Sequence, residues 1–229
     1  MKNVAEPDNA MQLVKFTREG GKDVVMVNWQ GHPRGHDEHR DSILSFSGKV
    51  VEYVEEKLDC LGMYILGASG NVNNSYRAKK LNLYQTYEEH ANALADYAAG
   101  AAKDFKKVDI GTVQLTSYNC PCPTKENPKI STNVPLNVFS IGDVAVVTAP
   151  YEMFSENGMA IKTGSPFKMT VVATCANGAC SYIPSIGTYD YNNKPDEVYE
   201  IMKTAYAPGT GETLADQFVS MLKTLYETK

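Results

Sequence analysis

Between Asp23 and Leu66 the chain reads strand, helix, strand, and that order restricts its fold more than any other feature. Asp23 to Trp29 is a short, valine-rich apolar run closed by Gly31-His32-Pro33, which predicts a buried strand followed by a break. Val50, Val51, Val54 and Leu58 then recur at helical spacing, with Glu52, Glu55 and Glu56 off that stripe, as in an amphipathic helix. Leu61 to Leu66 predicts the next strand, which runs into Gly67-Ala68-Ser69-Gly70-Asn71. Such a βαβ unit joins parallel strands through a right-handed crossover. The predicted class is therefore α/β, with a mixed sheet flanked by helices.

The rest of the chain continues the alternation. Tyr84, Tyr87, Ala91, Leu94, Ala98, Ala101 and Phe105 form one stripe of a long helix, weakened locally by Gly100. Val113 and Leu115 alternate as in a strand. Asn119 to Asn133 contains Pro121, Pro123 and Pro128 and reads as loop. Val134 to Phe139 and Val144 to Thr148 predict a hairpin around Ile141-Gly142-Asp143. A short helix over Phe154 to Lys162, a strand over Phe167 to Thr174 and a closing amphipathic helix through Leu214, Phe218, Leu222 and Leu225 complete the pattern. With no repeat, low-complexity tract or clear linker, residues 1–229 read as one domain.

Composition narrows the function classes. The net charge of −5 is spread along the chain, and the nearest thing to a basic run, Arg77 with Lys79 and Lys80, is short. Nucleic-acid binding needs a concentrated basic face, so that class is disfavoured. No apolar run approaches the ~20 residues of a bilayer span. Met1 to Asn9 is polar and unlike a signal peptide, which predicts a cytoplasmic protein if this start is native, or else a piece of a longer one. Five cysteines without a Cys-x-x-Cys pair do not make a disulfide framework. Cys120 and Cys122, flanking Pro121, read as reduced loop thiols rather than a soft-metal pair. Cys60, Cys175 and Cys180, near strand ends, read as small packing residues.

Ligands in open α/β sheets gather beyond the carboxyl ends of the strands. His32, Asn71, Asn73, Glu152 and Tyr182 all follow predicted strands, and a histidine, a carboxylate, a phenol and amides there suit a metal or acid/base site. Each also has an ordinary role: a turn histidine, a glutamate at a helix start, a half-buried tyrosine with a wet hydroxyl. The Gly67 to Asn74 loop lacks a following Gly-Lys-Ser/Thr, so a nucleotide-binding role is weakly signalled. His32, His36 and His39 have chelating spacing, but Pro33 and Gly35 interrupt any helix that would align them.

Taken in order, these segments resemble the neutral/alkaline (non-lysosomal) ceramidase family. Val25 to Pro33 is similar to its strand ending in His-Pro, Leu66 to Asn74 to its glycine-rich loop, and Ile141 to Glu152 to its Gly-Asp strand and glutamate. Phe167 to Thr174 with Ser181-Tyr182-Ile183-Pro184-Ser185 resembles its final strand and tyrosine, and Tyr199-Glu200, Gly209 to Glu212 and the last helix resemble the end of its catalytic domain. The resemblance spans nearly the whole chain and is to the C-terminal part of that domain.

It implies a zinc-dependent hydrolase of an amide bond, with Zn²⁺ held by His32, Glu152 and Tyr182 and a metal-activated water as nucleophile. It implies that Tyr199 lies near the metal and donates to the developing oxyanion. Asn73 stands where the family has a serine required for activity. The family's first zinc histidine lies upstream of anything matched, and its C-terminal β-sandwich has no counterpart in this chain. The implied partner is a small-molecule amide, lipid-like in the family. The competing expectation is a non-catalytic ceramidase-like binding module with an incomplete metal site. A sheet edge left open where upstream strands are missing would be a route to a homo-oligomer.

Overall fold

The computed structural model describes residues 7–33, 46–72, 86–190 and 197–228. Its class is α/β, with mixed sheets flanked by helices. The chain divides into two compact units, one of Ala10–Leu66 and Asn73–Lys107, the other of Met1–Asn9, Gly67–Val72 and Val108–Lys229.

The first unit contains the predicted strand–helix–strand. Strands β1 (Gln12–Phe16), β2 (Val24–Trp29) and β3 (Leu61–Leu66) form a sheet in that order, β1 antiparallel to β2 and β2 parallel to β3. Helix α1 (Phe46–Leu58) is the crossover and buries Phe46, Val50 and Val54, spaced four residues apart as one helix face demands. Helix α2 (Tyr87–Ala101) buries Ala91, Leu94, Ala95 and Ala98. These two faces meet Val25 and Val27 of β2 in one apolar cluster. The start of α2 is capped by the Thr86 hydroxyl, which accepts from the Glu89 amide at 3.1 Å. Cys60 is buried in this cluster, the packing role its pattern predicts.

The second unit is built on a four-stranded sheet. Strands β4 (Val113–Pro123), β5 (Ser131–Ile141), β6 (Val144–Ala149) and β8 (Met169–Thr174) lie in that order, antiparallel except for the β6–β8 pair. Helix α3 (Ser155–Gly164) lies between β6 and β8 in the chain, so this parallel pair is a second βαβ unit. Alternate residues Val134, Leu136 and Val138 of β5 and Ala145, Val147 and Ala149 of β6 point into a core. Helix α5 (Thr210–Glu227) closes it with Leu214, Phe218, Leu222 and Leu225. Phe218, fully buried, contributes roughly 2–3 kcal/mol by leaving water. Short strands β7 (Glu152–Met153) and β9 (Tyr182–Ile183) pair separately, and α4 (Tyr199–Lys203) precedes α5. Instead of the one mixed sheet read from the sequence, the described residues form three.

Three expectations are corrected. Asn119 to Asn133 is not loop: β4 continues to Pro123 and β5 begins at Ser131, leaving only 124–130 as the turn. The prolines are tolerated because β4 is an edge strand, and because Pro135 of β5 lies beyond the stretch, Asn137 to Ile141, that pairs with β6. Consequently Cys120 and Cys122 are not loop thiols but alternate inward residues of β4, 4% and 0% exposed. Cys175, expected to pack, is exposed, whereas Cys180 packs against the core. Arg77, Lys79, Lys80, His36 and His39 lie outside the described residues.

Candidate functional site

The second unit brings two of the sequence-predicted residues face to face. Glu152 opens β7 and Tyr182 opens β9, and the parallel pairing makes them direct register partners. Side chains at paired positions project to the same side of the sheet. The Glu152 carboxylate acts on the Tyr182 phenol, whose pKa is pushed up to about 12. Desolvation is the largest cause, followed by Glu152 and the neighbouring Tyr199 and Glu200. The phenol is therefore held protonated against a carboxylate.

What holds this pair in place is the backbone around it. After β8 the segment Cys175 to Ser181 folds back over residues 149–152: the Ala176 amide bonds Ala149 O at 3.0 Å, the Cys175 amide Tyr151 O at 3.3 Å, and the Glu152 amide Ser181 O at 2.9 Å. Cys175, Asn177 and Ser181 have φ of 53°, 66° and 63°, a left-handed conformation that costs non-glycine residues energy and tends to collect at functional sites. Asn177-Gly178 was the one signal in the sequence for this turn.

On the other side lies the glycine-rich loop. The Gly70 amide donates to Met153 O at 2.8 Å. A Cβ on Gly70 would stand 2.8 Å from Glu152 O and 2.9 Å from Met153 O, and one on Gly158 would stand 2.5 Å from Ala68 Cβ. The glycines are thus explained by close packing of the loop beneath β7 and the start of α3, not by a phosphate. Asn71, a candidate ligand from its position, is a helix cap. Its Oδ1 accepts from the Ser155 amide at 2.8 Å and its Nδ2 donates to Glu156 at 2.8 Å, at a helix start whose own cap residue, Phe154, offers no side-chain bond. Sequence spacing gave no sign of this cap, since its two halves are 84 residues apart.

Tyr199 begins α4 with its ring edge-on to Tyr182, centroids 5.9 Å apart, and is 52% exposed. The Lys203 ammonium, one turn on, lies over the Tyr199 ring at 5.6 Å, a contact the sequence reading did not single out. Glu152, Tyr182 and Tyr199 are thus one group.

His32 belongs to the first unit, at the end of β2. The turn before it is pinned by Tyr64, whose hydroxyl donates to Gly31 O at 2.8 Å and Trp29 O at 3.3 Å, and burial raises the Tyr64 pKa far above its ordinary value. Asn73 lies outside the described residues. Among the described residues no three His, Cys, Asp or Glu side chains gather into a metal-binding group.

No protein-family model matches the sequence, and no curated protein matches it. Solved structures do. The neutral ceramidase from Pseudomonas aeruginosa superposes with a TM-score of 0.69 at 14% identity, over 95% of this chain and 46% of that one. A ceramidase complexed with C2 gives 0.70 at 15% identity, over 97% and 50%. The chain therefore has a ceramidase-like fold and spans about half the length of the structures it matches.

Proposed function

We propose that this chain is part of a zinc-dependent hydrolase of an amide bond, with His32, Glu152 and Tyr182 as the residues that would hold the metal. The observation that carries this reading is the Glu152–Tyr182 pair: a carboxylate and a phenol on register partners, close enough for the carboxylate to raise the phenol's pKa. The Glu152 carboxylate oxygen and the His32 imidazole nitrogen are donors of the kind Zn²⁺ accepts, and the Tyr182 phenol oxygen would complete the set. When bound, such an ion polarises a carbonyl and supplies a nucleophile near neutral pH. The remaining chemistry belongs to the chain. Glu152 brings the negative charge, and the loop 175–181 and Gly70 fix its backbone from both sides. Tyr199, half-exposed beside Tyr182, would donate its hydroxyl to the oxygen of a substrate amide as charge develops there. The substrate is an amide-bearing small molecule, with the amide of a ceramide one member of that class. The ceramidase-like fold supports the reading without choosing the substrate.

A second reading is a non-catalytic module of the same fold. It is favoured by Asn73, which replaces the serine of the family's loop.

The test is elemental analysis of the purified chain and of His32→Ala, Glu152→Ala and Tyr182→Phe variants, coupled to an amide-turnover screen. Near-stoichiometric zinc in the parent, reduced in each variant, with turnover, is expected. Variants that hold zinc as tightly as the parent would sink the ligand set. Zinc without turnover would favour the non-catalytic module.

A further inference from the structure

Strand β4 is the terminal strand of its sheet, and its outer edge lacks a partner strand among the described residues over most of its length. Among the described residues the contacts are at its end: Thr124 bridges to Tyr206, the Ala207 amide bonds Pro123 O and the Lys125 amide bonds Ala205 O. An open edge offers a row of backbone donors and acceptors to any strand that approaches, and proteins usually blunt it with charged residues, prolines or bulges. Here the prolines, Pro121 and Pro123, sit at the covered end. Val113 to Asn119 carries no charged residue and no proline. β5, β6 and β8 are also without charge, so the sheet face that β4 shares with them has no side chain to repel an apolar partner.

The side chains along this edge are of the kind that seek cover. Val113 and Leu115 are 64% and 69% exposed on one face of β4, and Ile110, just before the strand, is 66% exposed. Val113 and Leu115 pair across the sheet with Ile141 and Phe139, themselves half-buried. On the opposite face Tyr118 is 43% exposed at the same edge.

We propose that β4 pairs antiparallel with β4 of a second copy of this chain, joining two four-stranded sheets into one of eight strands around a two-fold axis near Leu115. The stretch is self-complementary in the sense that matters for a two-fold contact. With the axis at Leu115, the two Leu115 side chains meet, Val113 of each copy faces Ser117 of the other, and no like charges are opposed. Covering the open edge and the flanks of Ile110, Val113, Leu115 and Tyr118 removes at most about 1,000 Å² over the two copies, the lower bound of a specific interface. A contact no larger than that predicts a reversible dimer rather than an obligate one, and a micromolar Kd is the range to test.

Sedimentation velocity from about 1 to about 200 µM brackets such a Kd. The parent should move from the 25.2 kDa monomer toward twice that mass as concentration rises. Leu115→Lys, at an exposed position where the monomer tolerates charge, should remain monomeric throughout with an unchanged melting curve. Val113→Lys is the second variant, read in the same way should Leu115→Lys fail to fold. A parent that stays monomeric means that something other than a second copy covers the edge, and it overturns the proposal. Dimerisation that survives both lysines, or open-ended aggregates in place of a closed dimer, overturns it as well.

Discussion

Replacing Gly70 with alanine tests the packing that sets the candidate site. The added Cβ would lie 2.8 Å from Glu152 O, 2.9 Å from Met153 O and 3.0 Å from Phe154 Cδ1. Ordinary contacts begin near 3.4 Å, and two of these three atoms are backbone, so no rotamer change relieves the clash. Either the loop 67–72 lifts away or β7 moves by about half an ångström, and in both cases the Gly70 N to Met153 O bond is stretched or lost. Overpacking a core site costs about 1–3 kcal/mol, and losing a net hydrogen bond adds about 1 kcal/mol. A total near 3 kcal/mol corresponds to a fall of roughly 6–12 °C in Tm for a chain of this size. Gly100→Ala is the control. A Cβ there meets nothing within 4 Å, and the position is inside α2, so alanine should stabilise by about 1 kcal/mol. Differential scanning calorimetry of both variants, with zinc content measured in parallel, reads the result. A Gly70→Ala protein that melts within a degree or two of the parent would refute the close approach, and with it the account of why this loop is glycine-rich.

Asn71→Ala should cost about 1–2 kcal/mol by chemical denaturation, because the start of α3 loses its cap; no change would return Asn71 to the list of candidate ligands. Lys162→Met leaves the Asp8 carboxylate buried without its 2.7 Å ion pair and should cost about 3 kcal/mol in the same assay. Burial pushes the Cys122 thiol up to about 12, so at pH 8 only about one in 10⁴ is thiolate, and in the native protein Cys120 and Cys122 should resist a thiol reagent that labels exposed Cys175; equal rates at all five would contradict their place in the core. Tyr206 is likewise raised to about 12, chiefly by burial. Groups with folded pKa values above their unfolded ones keep their full contribution below the unfolded value, so stability should hold to about pH 9 and fall as pH rises toward 12, which urea titration across that window would show.

Much of the architecture was legible because it rests on local periodicity. Val50, Val54 and Leu58 announce α1 whatever surrounds it, and the βαβ order through Leu66 leaves few ways to arrange β2 and β3. The failure at Asn119 to Asn133 has the opposite cause. Prolines are local breakers in sequence, whereas their tolerance here depends on β4 being an edge strand and on β6 ending its pairing before Pro135, both tertiary facts. The same holds for Cys120 and Cys122, since a Cys-x-Cys in a loop and one on the inward face of a strand are identical in sequence.

The site divides along the same line. Glu152 and Tyr182 could be named from their places after strands and from family order, but their pairing depends on how the segment 175–181 returns over Tyr151. Three non-glycine residues there adopt left-handed backbone, a conformation their types do not announce apart from Asn177. That return makes them register partners, and the proposed site rests on this partnership: alone, Tyr182 is an amphipathic tyrosine and Glu152 a helix-start carboxylate. The Asn71 reading failed for the complementary reason. Its amide is complete in the structure, with both ends spent on α3, so the loop's contribution to the site is mechanical. Gly70 packs against the backbone of Glu152 and Asn71 caps the helix that follows, so in the proposed site the chemistry would fall to the Glu152 carboxylate and the Tyr182 phenol.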